Sequence, residues 1–273
     1  MGRGRIVVWE GASLWMLEGA RETAEVQSHS HHAIQITFAL KGNFEIGTRH
    51  GRLRGPVVAV ASDTQHRFQA SGAVAFLFIE PESAVGRALH RELFANHPVV
   101  EMATGGAHTF LESLRSCFDR GATAPDLLEL GRTIIAALPG DGDRPSPDAR
   151  VVSMIAYART HLDNRLTLAS AAQQVCLSPS RASHLFVAQT GLAFKSYILW
   201  LRLETAVALY ADGLSLTEAA HQAGFADSAH FSRTFRRPFG LPAAALRLEG
   251  PALYGVPLRR HAPEPLRKNK CRE

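Results

Sequence analysis

Hydrophobic residues follow one pattern twice in the last third of the chain. Residues 166–177 and 214–225 align 48 residues apart, and each copy runs into a second segment of helical periodicity. Apolar positions that recur every three or four residues indicate helices that bury one face against a neighbour. The sequence therefore predicts two helix-turn-helix units. Their predicted buried positions are Leu168, Ala172, Val175, Leu177, Ala182, Leu185 and Phe186, then Leu216, Ala220, Ala223, Phe225, Phe231 and Phe235.

Helix start and stop signals agree with this pattern. A side-chain oxygen before a helix can accept from the free N–H groups of its first turn. Pro238 lacks a backbone donor and would clash with the preceding turn of a continuing helix, so we expect the last helix to end at or before Arg237. The predicted N-caps are Thr167, Ser178, Ser215 and Asp227.

A long apolar-rich segment lies between the two copies. It covers residues 194–210 and ends at Asp212 and Gly213. As a helix it would span roughly 25–30 Å, close to the roughly 34 Å that separates successive major grooves on one face of a duplex. We therefore expect one rigid helix to set the spacing of the two units.

The outward face of each second helix carries the candidate DNA-binding residues. Short polar side chains and arginines near a helix N-terminus suit the major groove, where base edges offer donors and acceptors. The arginines are expected to divide their contacts between bases and phosphates. The alternative is a solvated polar face on an ordinary helical domain. The candidates are Ser180, Arg181, Ser183 and His184 in the first copy, and Ser228, Ala229, Ser232, Arg233, Arg236 and Arg237 in the second.

Short motifs recur at intervals through residues 149–247. They occupy 177–181, 185–186, 190–191, 194–195, 202–203, 220–225, 230–237 and 239–240. Through these motifs, residues 149–247 resemble the AraC/XylS family of transcription regulators. The resemblance implies that two helix-turn-helix units enter adjacent major grooves at a promoter. Ala182 and His184 depart from the family, which commonly has Leu and Arg there. The base-reading positions that the resemblance implies are Ser180, Ser183 and His184 in the first unit, and Ser228, Ala229, Ser232 and Arg233 in the second.

The first half of the chain changes character at about residue 80. Before that point, short alternating runs separated by Gly and Pro predict a small antiparallel barrel. From there to residue 138 the spacing is helical, and these helices are expected to cover the barrel or pair with a second subunit. The alternating runs are 34–38, 43–47, 57–61 and 74–79.

The barrel region also contains a histidine constellation. His29, His31, Gln35 and His66 have the spacing of the cupin motif, a resemblance that covers about residues 20–80. In a metal-binding cupin, a Glu stands where this chain has Gln35, so one anionic ligand is missing. Neutral imidazoles suit Zn, Fe, Ni or Cu. The four residues are therefore predicted to line either an effector pocket or a divalent metal site, and His32, off this parity, is expected at the surface.

These elements predict an α+β protein of five segments. A cupin-like antiparallel β-barrel occupies residues 1–82, followed by helices over 83–138 and a Pro/Gly-rich linker over 139–148. An all-α DNA-binding domain, with two helix-turn-helix units joined by a long helix, occupies 149–248. Residues 249–273 form a basic, Pro-rich tail that we expect to be disordered.

Charge and hydropathy narrow the function classes. Residues 1–147 carry a net charge of −2, residues 148–249 one of +3 and residues 250–273 one of +4. A basic excess at the C-terminal end favours an anionic polymer as partner. The chain shows neither a signal-peptide core nor an 18-residue apolar run, which predicts a cytoplasmic protein with no membrane partner.

The sequence thus predicts a transcription regulator and not an enzyme. Its expected partners are double-stranded promoter DNA and a small-molecule effector, with a homodimer and RNA polymerase as further candidates; no cofactor is expected beyond the divalent metal considered above. The alternative is a cupin-type metal-dependent enzyme or metal sensor that uses His29, His31 and His66. The sequence leaves open the effector and the choice between activation and repression.

Overall fold

The computed structural model describes residues 4–19, 24–102, 106–138, 147–162, 166–240 and 242–246. Within these ranges the chain forms eight strands, nine α-helices and a final 3-10 turn over Ala243–Ala245. The strands are β1 (Gly4–Trp9), β2 (Ala12–Glu18), β3 (Ala24–His29), β4 (Ile34–Thr48), β5 (Gly51–Arg54), β6 (Val57–Val60), β7 (His66–Ile79) and β8 (Val99–Glu101). The helices are α1 (Ala84–Glu92), α2 (Gly106–Asp119), α3 (Ala124–Ala137), α4 (Ala149–Thr160), α5 (Leu168–Gln174), α6 (Pro179–Thr190), α7 (Phe194–Ala211), α8 (Leu216–Gln222) and α9 (Ser228–Phe239).

All strands join one antiparallel sheet, as the alternating runs predict. Its order is β1-β2-β7-β4-β6-β8, with β3 added to β7 and β5 added to β4. In the described residues the edge strands β1 and β8 are not paired with each other, so the closed cupin barrel stays a prediction. The antiparallel sheet followed by helices is confirmed.

Two facing glycines explain why β4 is one long strand where the sequence predicts two runs. Gly42 pairs with Gly72 in the β4–β7 register, next to an irregularity between Ala39 and Lys41. Both glycines have positive φ, +70° and +97°. A Cβ on Gly42 would lie 2.0 Å from the carbonyl oxygen of Ser71. Because glycine has no Cβ, the strands pass each other closely here and continue into both halves of the sheet.

The helices that follow the sheet pack against it. Leu89 of α1, Leu111 of α2 and Leu127 of α3 share a buried core with sheet residues that include Leu14 and Ile36. Within the stretch predicted as helical, the structure also contains β8, which pairs with β6. Three residues are too few for alternation to be recognised in a sequence.

The C-terminal helices belong to two separate cores, and α7 contributes to both. Its first half packs with α4, α5 and α6, around Phe186 and Tyr197. Its second half packs with α8 and α9, and this core also contains the sheet residues Ile6, Trp15 and Phe78. The second helix pair therefore shares its hydrophobic core with the sheet. We call this the shared core.

The predicted connector helix and helix caps are confirmed. Helix α7 runs over 18 residues, and side chains of all four predicted N-caps accept from the first turn of their helices. The predicted end of α9 is wrong, because the helix passes through Pro238 and ends at Phe239. Phe239 stacks on Phe235, with centroids 4.6 Å apart, and on Trp15. This aromatic packing holds the last turn despite the roughly 3 kcal/mol that a proline costs in a helix interior.

In the described part of the chain, no helix is long and apolar enough to cross a membrane. The predicted linker (139–148) is described only for its last two residues, and the predicted tail (249–273) lies wholly outside the described residues.

Candidate functional site

The two predicted copies have the same local geometry. Cys176 in the first turn and Gly224 in the second occupy aligned positions, and both have positive φ, 53° and 83°. The next residue closes each turn in the same way: Leu177 donates its N–H to the carbonyl of Ala172, and Phe225 donates to that of Ala220. The repeated sequence pattern therefore folds into a repeated pair of helices.

The inner faces of the pairs match the predicted core. Eight of the thirteen predicted positions are buried, and Leu168, Val175, Leu177, Leu185 and Leu216 are half-buried. The buried ones are Ala172, Ala182, Phe186, Ala220, Ala223, Phe225, Phe231 and Phe235.

The candidate DNA-binding residues lie on the opposite faces of α6 and α9. Ser183, Ser228 and Ser232 are half-buried. The other seven are exposed: Ser180, Arg181, His184, Ala229, Arg233, Arg236 and Arg237.

Arg236 differs from the other candidates because it reaches toward the sheet. Its Nη2 donates to Oε1 of Gln27 on β3 over 3.5 Å, a weak contact between exposed side chains. Gln27 also uses its backbone carbonyl to bind Nδ1 of His29 at 2.7 Å. One residue of β3 thus contacts both α9 and the histidine constellation.

The structure brings His29, His31 and His66 together. His29 at the end of β3 is the cross-strand partner of His66 at the start of β7, and their ring centroids are 4.3 Å apart. The ring of His31, between β3 and β4, lies 5.3 Å from that of His66. Gln35 on β4 joins the cluster through a 2.9 Å contact between its Oε1 and Nε2 of His31.

Burial keeps these three imidazoles neutral. Desolvation, reinforced by the neighbouring histidines, lowers the pKa of His31 to about 4 and that of His66 to about 3. Desolvation also lowers the pKa of His29, partly offset by its bond to Gln27. Because neutral imidazole has a free lone pair, the cluster can accept hydrogen bonds or bind a metal ion.

The prediction that His32 lies at the surface is wrong. His32 is buried against the rings of Tyr197 and Trp200 on α7. It lies between strands, where the alternation of strand side chains does not apply. Its Nε2 is 2.9 Å from Oε2 of Glu82. Burial opposes the charged form, but the carboxylates of Asp63 and Glu82 outweigh it and raise the pKa of His32 to about 9.

His32 belongs to a buried polar junction between the sheet and the helical domain. Glu80, which directly follows β7, forms an ion pair with Arg159 of α4. Glu204 of α7 interacts electrostatically with both Glu80 and Arg159, and desolvation raises the pKa of Glu204 to about 8. Sequence reasoning missed this junction because its residues come from segments far apart in the chain.

Aromatic rings connect the histidine cluster to α9. His31 packs edge-on against Phe78 and lies 6.4 Å from the ring of Phe239. Phe239 in turn stacks on Trp15 of β2 at 5.0 Å. The end of the second outward-facing helix is thus part of the wall around the cluster. Sequence reasoning missed this role of Phe239, whose only local signal was an aromatic residue before the terminating Gly240.

Known proteins resemble the C-terminal part of the chain in sequence. Residues 171–249 match a family model described as a helix-turn-helix domain. The chain is 36% identical over 105 residues to the arabinose operon regulatory protein of Escherichia coli K12, covering 38% of this chain and 36% of that protein. It is 34% identical over 116 residues to YpdC, an HTH-type transcriptional regulator of the same organism, covering 42% and 40%. The chain thus spans about 40% of the length of YpdC.

Two further similarities extend over most of the chain. YobQ of Bacillus subtilis strain 168, an HTH-type transcriptional regulator, is 25% identical over 227 residues, which cover 81% of this chain and 88% of that protein. The structure of apo ToxT from Vibrio cholerae strain SCE256 superimposes with a TM-score of 0.56 and 14% identity, covering 88% of this chain and 97% of ToxT. The likeness to ToxT shows that both parts of the fold are arranged alike. The predicted resemblance of the C-terminal part of the chain to the AraC/XylS family is thereby confirmed.

Proposed function

We propose that the protein is a sequence-specific DNA-binding transcription regulator whose N-terminal half responds to a small effector. The observation that carries the proposal is the repeated helix pair. The two turns share one backbone conformation, and each pair leaves its second helix with an exposed polar face. A helix of this kind can lie in the major groove with its N-terminal residues against base edges.

In this proposal the two pairs are helix-turn-helix units, and α6 and α9 are their recognition helices. The first unit reads DNA through Ser180, Ser183 and His184, with Arg181 beside them. The second reads through Ser228, Ala229, Ser232 and Arg233, while Arg236 and Arg237 contact phosphates. Helix α7, about 27 Å long from its 18 residues at 1.5 Å each, separates the units by roughly one turn of duplex.

Effector control follows from the shared core. The sheet packs on α9 through Trp15 and Phe78, so a change in the sheet alters the position of α9 relative to α6. Specific binding requires α6 and α9 to lie in successive major grooves at the same time. The affinity for DNA therefore depends on the conformation of the sheet. Gln35, His29, His31 and His66 line the proposed effector site, close to Phe239.

The similar proteins support the same assignment. RhaS of Escherichia fergusonii, an HTH-type transcriptional activator, is 35% identical over 109 residues, and activation is our proposal for this chain. ToxT has been crystallised with an unsaturated fatty acid, which supports a small-molecule effector here. We further propose a cytoplasmic location and contact with RNA polymerase, as activation at a promoter requires.

We retain the predicted segments as functional units: residues 1–82 for sensing, 83–138 for covering the sheet and dimerising, 139–148 as linker, 149–248 for DNA and 249–273 as a basic tail. The dimer surface would be polar. Among the described residues, only Val152 and Val187 are large, exposed hydrophobic side chains, and both lie in the helical domain. On α3 the exposed side chains include Glu129 and Arg132, which are self-complementary in charge.

A metalloenzyme is the second candidate function, and the His29, His31 and His66 cluster is the observation in its favour. Phe235 and Phe239 line the cavity that borders the cluster. The cavity is about 40 Å³, room for only a few waters at roughly 10–15 Å³ each. We therefore propose no enzymatic activity.

Genome-wide mapping of bound DNA, followed by footprinting of a recovered fragment, tests the proposed function. We expect two protected major grooves separated by about one helical turn. Arg181→Ala should weaken protection of one groove and Arg233→Ala that of the other. A matched variant, Arg49→Ala/Arg52→Ala, removes two exposed arginines from the N-terminal half and should leave the footprint intact. Equal loss of protection with the matched variant, or binding without sequence preference, would contradict the proposal.

A further inference from the structure

The three clustered histidines have the geometry of a preformed metal site. One ring nitrogen from each of His29, His31 and His66 lies within 4.8 Å of the corresponding nitrogens of the other two. All three side chains are buried, with 6%, 3% and 1% of their surface exposed. Burying three imidazole rings in an apolar sheet interior costs desolvation free energy. A ring nitrogen without a partner does not offset this cost.

Backbone carbonyls fix the orientation of each ring. Nδ1 of His29 lies 2.7 Å from the carbonyl oxygen of Gln27. Nδ1 of His31 lies 2.8 Å from that of Ala33, and Nδ1 of His66 lies 2.8 Å from that of Thr64. Because a carbonyl can only accept, each Nδ1 carries the proton and each Nε2 presents a lone pair. Metal-binding histidines are held by the same kind of second contact.

His66 shows that at least one of these lone pairs lacks a donor. Its Nε2 is buried and has no hydrogen-bond partner among the described residues. A buried acceptor without a donor costs roughly 1–3 kcal/mol. A cation at the centre of the cluster satisfies this atom and the two neighbouring imidazoles together.

Gln35 supplies a fourth ligand. Its Oε1 faces Nε2 of His31 at 2.9 Å, while its amide nitrogen donates to the hydroxyl of Thr37 at 2.9 Å. With the proton of His31 on Nδ1, this arrangement points two acceptors at each other, which a shared cation resolves. In the metal-free protein the amide can rotate by half a turn, so that its NH₂ group donates to His31 and Thr37 donates to its oxygen.

The donor set selects the kind of ion. Three neutral imidazoles and one amide oxygen suit Zn²⁺, Ni²⁺, Cu²⁺ or Fe²⁺, whereas Ca²⁺ and Mg²⁺ require several oxygen ligands. With no carboxylate in the set, binding is weaker and more readily reversed than in a site with an anionic ligand. The adjoining cavity of about 40 Å³ leaves room for water beside the ion.

We propose that His29, His31, His66 and Gln35 bind a divalent transition-metal ion, and that this ion is the effector of the regulator. The binding site stands on the geometry above, and only the effector role rests on the proposed function. The rings of His31 and Phe239 are neighbours. Metal binding to His31 therefore affects the packing of Phe239, the last residue of α9.

The first experiment measures metal binding alone. The full chain, treated with EDTA and dialysed, is titrated with Co²⁺ by visible absorbance and with Zn²⁺ by calorimetry. We expect one ion per chain, and a Co²⁺ spectrum typical of nitrogen ligation. His66→Ala should weaken binding by about 100-fold or more, whereas His97→Ala, which changes an exposed histidine, should leave it unchanged. Failure of the wild type to bind Co²⁺ and Zn²⁺, or wild-type affinity in His66→Ala, would overturn the site.

A gain-of-affinity variant tests the site even if His66→Ala fails to fold. Gln35→Glu places a carboxylate where the amide oxygen lies and should tighten Zn²⁺ binding by about tenfold. Unchanged or weaker binding by a folded Gln35→Glu protein would argue against Gln35 as a ligand and against the proposed site.

The second experiment measures DNA affinity with and without Zn²⁺, using the fragment recovered by genome-wide mapping. We expect the apparent Kd to change by about tenfold or more, and not to change in His66→Ala. If the chain binds the ion but its DNA affinity is unaltered, the site stands and the effector role is overturned. If the chain binds no specific DNA in either state, the proposed function fails while the Co²⁺ spectrum still decides the site.

Discussion

Trp15 of β2 and Phe239 of α9 stack with their ring centroids 5.0 Å apart and their planes inclined by 28°. The two residues are more than 200 positions apart in the chain, and their contact joins the sheet to the helix that we propose reads the second half of the DNA site. Phe239 is also the last residue of α9, immediately before Gly240, whose φ of +67° ends the helix. The contact therefore fixes both where α9 ends and where it lies.

Replacement of Phe239 tests how much this contact stabilises the protein. Phe239→Ala should lower the free energy of unfolding by about 3–5 kcal/mol, because it removes a buried aromatic ring and leaves a cavity. The measurement is urea denaturation followed by tryptophan fluorescence, and the emission of buried Trp15 should shift to the red. Phe239→Leu, which retains most of the volume, should lose much less. Equal stability of the Ala variant and the wild type would show that the sheet does not hold α9.

The turn of the second helix pair offers a test of backbone geometry. Gly224 has φ of +83°, and a Cβ there would lie 3.0 Å from both Nε of Arg202 and the carbonyl oxygen of Leu162. Gly213 has φ of +99° but nothing within 4 Å of the same position. Both alanine variants should lose about 1 kcal/mol from the left-handed conformation, and Gly224→Ala should lose about another 1 kcal/mol from crowding. Thermal unfolding of the two variants measures the difference, and indistinguishable melting temperatures would refute the crowding argument.

Arg233 is the best single test of base reading by the second unit. Arg233→Ala should weaken specific binding by roughly 1–3 kcal/mol and relax base choice in one half of the site, if the side chain makes a bidentate contact to a base. Fluorescence anisotropy against the footprinted site and against single-base variants measures both effects. Arg52→Ala, which removes an exposed arginine on β5, serves as the control. A uniform loss on all sequences would reassign Arg233 to a phosphate contact.

The junction between the sheet and α7 predicts a pH-dependent stability. Desolvation, Glu80 and Glu82 raise the pKa of Glu204 from 4.5 to about 8, while Arg159 and His32 lower it. Between these two pH values the folded protein retains a proton that the unfolded chain has released. Stability is therefore lost as pH rises through this window, by at most about 1.4 kcal/mol per unit.

Glu204→Gln imitates the protonated carboxyl and should flatten this dependence. Melting temperatures measured between about pH 5 and pH 8 should fall less in Glu204→Gln than in the wild type. Glu10→Gln, in the exposed turn between β1 and β2, should follow the wild type throughout. A slope that is unchanged in Glu204→Gln would mean that this carboxyl is already ionised in the folded protein.

Local physical chemistry explains which parts of the fold could be predicted. The caps at Thr167, Ser178, Ser215 and Asp227 and the extent of α7 depend on hydrogen bonds and periodicity within a few residues, and they are found where the sequence predicts them. The end of α9 was mispredicted because it depends on Trp15, on a strand that no local pattern connects with it.

The same distinction applies to the candidate sites. His29, His31 and His66 could be assigned to one cluster from motif spacing, because two adjacent strands bring their ends together. The burial of His32 could not be predicted from the sequence, because its partners Glu82 and Tyr197 lie on other segments and His32 itself lies outside a strand. The single long β4 was also missed, because the role of Gly42 becomes visible only opposite Gly72.

The division of α7 between two cores determines which fragments of the protein can fold and remain soluble. A fragment beginning at α4 would keep the packing around Phe186 and Tyr197 complete, but it would expose Trp200 and Phe239 to water where the sheet had covered them. Exposed aromatic patches promote aggregation. The first helix pair is therefore the portion of the protein that should survive proteolysis as an independent, soluble piece, while the second should precipitate unless the strands remain attached.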